Sequence, residues 1–212
     1  GKVQVLDGFD AAGKPKLRAP KHAMTLKHLL THTAGFGYSF SSPEIKKYEE
    51  VTGEPGPFTC TRASLNAPLL FDPGERWEYG INIDWAGQLV ERVSGMRLGE
   101  YFAKHILGPL GMNDTAFVLR PDMMARRAHI HARLPDGTAT PIDLVLPQPP
   151  EVDMGGHGMY GTVGDYLKFV RMILNRGDSP GGRILKAETV DAMGQNQIGD
   201  LLITGFKTAD PT

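Results

Sequence analysis

The chain has 212 residues, with 23 Lys and Arg against 24 Asp and Glu and a formal net charge of -1, so its charge favours neither nucleic acid nor an anionic membrane surface. Its composition, 41% hydrophobic and 22% charged, is that of a globular protein long enough for one large domain or part of a larger one, and it holds no apolar run of about 18 residues that could span a membrane. Cys60 is the sole cysteine, which excludes an intrachain disulfide framework and a multi-cysteine metal site but leaves the compartment open.

Residues 1 to 23 are rich in Lys, Pro and Gly and read as extended, with turns at Ala12-Gly13 and Pro15. Thr25 is an N-cap signal for a helix with Leu26, Leu29 and Leu30 on one face and Gly35 as its stop. His28 and His32 share that helix at i, i+4, a spacing that suits a metal pair. Leu29, Leu30 and Thr31 between them supply no glutamate of the HExxH kind, and backbone hydrogen bonds near the helix end are the simpler reading. From Gly35 to Ser42 the chain is a loop with Phe36, Tyr38 and Phe40 at alternate positions. Such rings pack a loop onto a core or line a pocket for an acyl or aryl group. Ser42-Pro43 opens a helix through Val51, ended by Gly53 to Pro57, and a short helix is expected from about Thr61 to Ala67.

The stretch from Phe71 to Thr115 organises the chain. A turn at Pro73-Gly74 leads to Trp77 and Tyr79, so a phenol is fixed just ahead of a helix. Asn82 is a plausible cap for that helix, Ile83 to Val93, whose stripe is Ile83, Ala86, Val90 and Val93 and whose stop is Gly95. Leu98, Tyr101, Phe102 and Ile106 form the apolar face of the next, which Pro109 to Gly111 ends. Residues 126 to 143 alternate about Asp136-Gly137 and predict a hairpin. His129 and His131 would share one of its faces; with no third ligand close in sequence, a solvated face is the expectation. Pro147 to Pro150 is a stiff connector. Four glycines then leave His157 and Tyr160 as the side chains of a bare loop, and neither GxxxxGK[ST] nor GxGxxG is present. Thr162 and Asp165 resemble a capping pair for a helix in which Val163, Tyr166, Leu167, Val170, Ile173 and Leu174 follow a 3.6-residue period. A last helix is expected over Ala187 to Met193.

Five blocks carry a resemblance: MTLKHLLTHTAGF (Met24 to Phe36), PGERWEYG (Pro73 to Gly80), LVERVSG (Leu89 to Gly95), ILGPLGMNDTAF (Ile106 to Phe117) and GTVGDYLKFV (Gly161 to Val170). In order and spacing they resemble the serine β-lactamase and penicillin-binding-protein-like superfamily, with carboxylesterases related to class C β-lactamases as the most similar branch. The resemblance implies a mixed α/β fold of the β-lactamase/transpeptidase type, the present segment mostly helical with a small hairpin. Residues 1–212 would be an internal segment of one such domain. A helical subdomain would cover about 25–125, and the return to the α/β subdomain would begin over about 155–212. Members of the superfamily use a serine in Ser-x-x-Lys, a tyrosine in Tyr-x-Asn and a third box of the Lys-Thr-Gly, His-x-Gly or Trp-x-Gly kind. A serine hydroxyl needs a base, and a phenol can be that base only where cations lower its pKa from about 10. By resemblance Tyr79 is the catalytic base, while His157 and Tyr38 are candidates for lining the substrate site. No cofactor or metal is implied.

Three departures qualify the match. No Ser-x-x-Lys occurs; the nearest stretch, Ser94 to Arg97, sits at a helix end beside Gly95, where a cap suffices. Ile81 stands where β-lactamases carry asparagine, which disfavours an amide side chain and suits esters. Lys207-Thr208-Ala209 resembles a third box but comes too early. Both ends look cut, so the nucleophile is expected outside this chain, which alone should be inactive. The expected whole is a serine hydrolase, a carboxylesterase acting on short acyl esters through an acyl-enzyme, with a small-molecule ester or β-lactam as its partner. The alternatives are a class C-like β-lactamase or a D-aminopeptidase or penicillin-binding relative, a non-catalytic scaffold or binding domain of the same fold, and a metal hydrolase built on His28, His32, His129 and His131.

Overall fold

The computed structural model describes residues 3–203; Lys207-Thr208-Ala209 lies outside them. The chain opens with an antiparallel hairpin, β1 (Val5–Phe9) and β2 (Pro15–Arg18), where only extended chain was expected. Asp10 makes the turn: its Oδ1 accepts from the N–H groups of Ala12 at 2.9 Å and Lys14 at 2.8 Å, an Asx turn that competes well with solvation. Buried Val5 and Leu6 tie the hairpin to Leu69, which donates to Gln4 O at 2.8 Å and accepts from Leu6 N at 2.7 Å. Asp72 locks the other side. It takes both Arg18 guanidinium nitrogens at 2.9 and 2.7 Å and Lys21 N–H at 2.7 Å. The Arg18 hydrogen bonds, then the Lys21 N–H, hold its carboxyl well below the usual carboxylate range.

α1 (Leu26–Leu30) starts as expected, in a reciprocal cap between Thr25 and His28. It ends sooner. Thr31 is its C-cap and His32 enters the left-handed region at φ 55, well before Gly35. A helix this short buries only Leu29, and Leu26 and Leu30 stay exposed. α2 (Pro43–Thr52) has the expected Ser42 cap and a left-handed Gly53. Of the helix expected from Thr61 to Ala67 only a 3₁₀ turn, Ala63–Leu65, forms; another, Pro57–Thr59, precedes it, and Cys60 between the two adopts φ 51.

α3 (Asn82–Ser94) is capped by Ile81 without a side-chain bond, so Asn82 is not the cap but the first helical residue, turned inward. Its buried face is Asn82, Asp84, Ala86 and Gly87, while Val93 is exposed. Gly95 ends it in the left-handed region, and Ser94 Oγ accepts from Met96 N at 3.2 Å, the cap role expected of that serine. α4 (Leu98–Phe102) runs through a π turn, Ala103–Leu107, into the short α5 (Gly108–Leu110). After α6 (Pro121–Ala125), strands β3 (Ile130–Arg133) and β4 (Ala139–Ile142) form the expected hairpin, with Ile130 opposite Ile142. α7 (Val163–Leu174) and α8 (Ala187–Met193) complete the described chain. Thr162 caps α7 by accepting from Asp165 N at 3.2 Å. Asp165 does not reciprocate; its carboxylate turns to Asp114 N–H at 2.8 Å and Thr115 Oγ1 at 3.0 Å.

The largest core cluster, Val5, Leu29, Ala34, Phe36, Tyr38, Leu69 and Ile81, lies where β1, α1 and the start of α3 converge. Each large apolar side chain fully buried there contributes about 1.5–3 kcal/mol. Tyr79 packs against this cluster.

Candidate active site

The segment leading to Tyr79 is pinned along its length. Gly74 N donates to Thr33 O at 2.8 Å, and Glu78 N donates to His32 O at 2.9 Å. At Gly80 a Cβ would lie 2.3 Å from Phe36 O and 2.6 Å from Gly37 N, so only glycine lets the backbone press against the 36–37 loop. The phenol of Tyr79 is then boxed by rings: His32 and Tyr38 at centroid distances of 5.1 Å, and Phe40 and Trp77 at 6.5 Å. Tyr38 meets it edge-on and Trp77 nearly parallel. Such aromatic pairs are each worth about 0.5–1.5 kcal/mol beyond burial, so the ring is confined from several directions.

Tyr38 in turn reaches Asp84. That carboxylate is 1% exposed; its Oδ2 accepts from Tyr38 Oη at 3.3 Å and its Oδ1 from Gly156 N–H at 2.8 Å. His157 Nδ1 stands 3.6 Å from the same Oδ1, and its Nε2 stands 3.9 Å from Cys60 Sγ. Burial pushes the Asp84 carboxyl up, opposed by the Gly156 N–H and by His157. Burial, then the neighbouring Asp84 charge, drives the Tyr38 phenol far above its ordinary value, so Tyr38 acts here as a fixed donor. The Cys60 thiol is likewise pushed up by burial, which makes it inert rather than nucleophilic. The glycine pair explains the approach: a Cβ on Gly155 would lie 2.3 Å from Ile83 O.

Of the three residues singled out from sequence, Tyr79 and Tyr38 come into ring contact, and His157 joins Tyr38 through Asp84. Sequence reasoning missed Asp84 and Cys60. An aspartate in a first helical turn reads as a solvated charge complementing the helix dipole, and nothing in its spacing marks it as buried. Sequence reasoning also missed the pairing of His32 with Asn82. Asn82 Nδ2 lies 3.0 Å from His32 Nδ1 and 3.4 Å from Glu78 O, while Oδ1, in a residue of 0% exposure, has no hydrogen-bond partner. An orphaned buried carbonyl of this kind costs about 1–3 kcal/mol. Burial lowers the His32 pKa.

The other histidines are spread apart: His28 serves the α1 cap, and His131 Nδ1 meets His129 O at 3.1 Å in the β3–β4 region. Among the described residues no three His, Cys, Asp or Glu side chains are grouped to hold one metal ion. A cleft of about 420 Å³ opens elsewhere, lined by Met123, Arg126, Leu144, Tyr160 and Val163 among others, and Tyr79 is not part of its wall.

A chain that is mostly helical, with two small hairpins among the described residues and a tyrosine fixed between a Pro-Gly turn and a long helix, has the β-lactamase/transpeptidase-like fold. The family model described as Beta-lactamase matches residues 12–208, and the chain belongs to that family. It is 41% identical over 201 residues to the acyltransferase mokF of Monascus pilosus, covering 91% of this chain and 47% of that protein. It is 35% identical over 205 residues to the lovastatin esterase of Penicillium rubens, covering 92% of this chain and 50% of the relative. Among solved structures, a mutant of simvastatin synthase (LovD) from Aspergillus terreus superposes with a TM-score of 0.81 at 41% identity, covering 91% of this chain and 46% of that one. The chain thus spans about half the length of the relatives it matches. Those relatives are acyltransferases and esterases of the serine β-lactamase-like superfamily.

Proposed function

We propose that the full-length protein is a serine carboxylesterase for short acyl esters that works through an acyl-enzyme, with Tyr79 as its general base. The observation that carries this reading is the Tyr79 phenol boxed by His32, Tyr38, Phe40 and Trp77 in a chain of this family. In the first half-reaction the serine hydroxyl, supplied from outside this chain, attacks the ester carbonyl and its proton passes to the Tyr79 phenolate. The tetrahedral intermediate collapses and Tyr79 returns the proton to the leaving alkoxide. In the second half, water gives its proton to Tyr79 and attacks the acyl-serine; the tetrahedral intermediate collapses, and Tyr79 hands that proton to the leaving serine oxygen, which releases the acid and regenerates both the serine hydroxyl and the phenolate. Tyr38 and His157, linked by Asp84, border the acyl side of the site. The 212-residue chain by itself is expected not to turn over.

An alcohol can replace water in the second half, and the acyltransferase names of several relatives favour that outcome. Ile81 removes a carboxamide from the middle box and so disfavours β-lactam amides. The test uses full-length protein with p-nitrophenyl butyrate, a chromogenic cephalosporin and an added short alcohol. The ester should turn over far faster than the cephalosporin, and the alcohol should divert acyl groups into new ester. Tyr79→Phe should lose about 10²–10⁴-fold in kcat, the usual contribution of a general base. An unchanged rate in Tyr79→Phe would remove the reading.

A further inference from the structure

His32 carries several features that neither the cap of α1 nor the core requires. It is one of three non-glycine residues described with positive φ, at 55°, and strained backbone of this kind gathers where a side chain must be held in one place. Its carbonyl accepts from Glu78 N at 2.9 Å, so it is tied to the segment that carries Tyr79. Its ring lies 5.1 Å from that of Tyr79, tilted by 45°.

The partner on the other side of the ring fixes its protonation. Asn82 has two groups to aim, and the surroundings decide which points where. Glu78 O, 3.4 Å away, is an acceptor and needs a donor. Were the amide turned over, its oxygen would face that carbonyl oxygen. The NH₂ therefore serves both neighbours, one hydrogen for Glu78 O and one for His32 Nδ1 at 3.0 Å. An Nδ1 that accepts cannot carry a proton. The cost of this arrangement is visible, because Asn82 Oδ1 is left buried and unpaired, which an apolar residue at the same site would avoid.

We propose that His32 is a positioning residue for Tyr79, held by Asn82 as the neutral Nε2–H tautomer against the phenol ring. This rests on the reading of Tyr79 as the base. Burial, which lowers the His32 pKa, acts in the same direction by disfavouring the imidazolium. The consequence is that the ring beside Tyr79 stays uncharged and in one orientation. The proton on Nε2 is the donor the pair presents.

The experiment uses full-length protein and has two arms. Imidazole ¹⁵N NMR on the unsubstituted protein should show His32 as the Nε2–H tautomer at neutral pH. A protonated Nδ1 there, as the Nδ1–H tautomer or as imidazolium, overturns the proposal without touching Tyr79. The second arm is a double-mutant cycle on p-nitrophenyl butyrate with Asn82→Leu and Tyr79→Phe. Asn82→Leu should lower kcat about tenfold with KM unchanged, and should add nothing in the Tyr79→Phe background. A tenfold loss that persists in Tyr79→Phe, or a kcat unaffected by Asn82→Leu, overturns the positioning role while leaving the base intact. A Tyr79→Phe enzyme as active as its parent overturns the base reading instead. If Asn82→Leu does not fold, the tautomer measurement decides.

Discussion

Two aspartates occupy the same place in two helices. Asp84 is the third residue of α3 and Asp165 the third of α7, and both are buried. Their environments push in opposite directions. Asp165 pays a desolvation penalty, but Lys168 Nζ at 2.9 Å, Asp114 N–H and Thr115 Oγ1 outweigh it and lower its pKa. At Asp84 desolvation prevails over the Gly156 N–H and His157, and the pKa rises. The difference teaches what each region is for. Asp165 is an anchor that staples the 113–115 turn to α7, with a permanent cation to balance it. Asp84 is an internal hub joining the Tyr38 loop, the helix after Tyr79 and the glycine loop.

Removing each carboxylate should widen that contrast. Asp84→Ala strips the partner from Gly156 N–H and from the buried Tyr38 hydroxyl, at about 1–3 kcal/mol for each orphaned group. The expected total is about 3 kcal/mol or more, read as a drop in the urea midpoint at constant slope. Gly155→Ala attacks the same hub through its backbone. A Cβ 2.3 Å from Ile83 O must move the loop that donates Gly156 N–H, at a cost of about 2–3 kcal/mol. Asp165→Ala should cost less, about 1–2 kcal/mol, because Lys168 is half exposed and regains water. If Asp165→Ala proves the more damaging, the distinction between anchor and hub fails.

The pH dependence should differ in sign. The Asp84 carboxyl is raised in the folded protein. Its contribution is therefore fully present below the ordinary carboxylate value and is lost as pH rises through the folded pKa. Asp165 is lowered, so its contribution is present above the ordinary value and is lost as pH falls through the folded pKa. Unfolding midpoints of Asp84→Asn and Asp165→Asn, each referenced to the parent between about pH 3 and 7, should diverge in opposite directions. Parallel curves would show that the two environments are alike after all.

These two residues also explain which parts of the molecule are legible beforehand. Caps and stops fixed by local chemistry come through: Ser42 and Gly53 around α2, Gly95 after α3, Thr162 before α7, Gly137 in the β3–β4 turn. The family follows from five ordered blocks whose joint spacing is specific. What fails is anything decided by tertiary surroundings. Asn82 has cap chemistry, yet its side chain is claimed by His32 and Glu78 O. Asp10 can turn a hairpin, but pairing with Leu69 is what recruits Val5 and Leu6 to the core. The apolar period of α7 marks a helix correctly, while Val163 at 88% and Leu174 at 75% exposure are not core among the described residues. At the site, Tyr79 is singled out by its turn and by resemblance. Asp84 is not, because a third-position aspartate in α3 and one in α7 look the same until their neighbours are known.

The smallest expected effect isolates that last point. Gly155 and Gly164 are both glycines beside a helix start. A Cβ on Gly164 meets nothing nearer than Thr162 Oγ1 at 4.0 Å, whereas one on Gly155 collides with backbone. Gly164 lies within the first turn of α7, and its φ is not in the left-handed region. Alanine there removes unfolded-state freedom without strain, so Gly164→Ala should raise stability by about 0.5 kcal/mol. The same substitution nine residues earlier should destabilise by several times that amount. Urea titrations of the two variants side by side measure how much of this chain's glycine content serves the contact between α3 and the His157 loop. A destabilised Gly164→Ala would mean that the start of α7 is packed as tightly as the hub, and the comparison between the two helices would lose its basis.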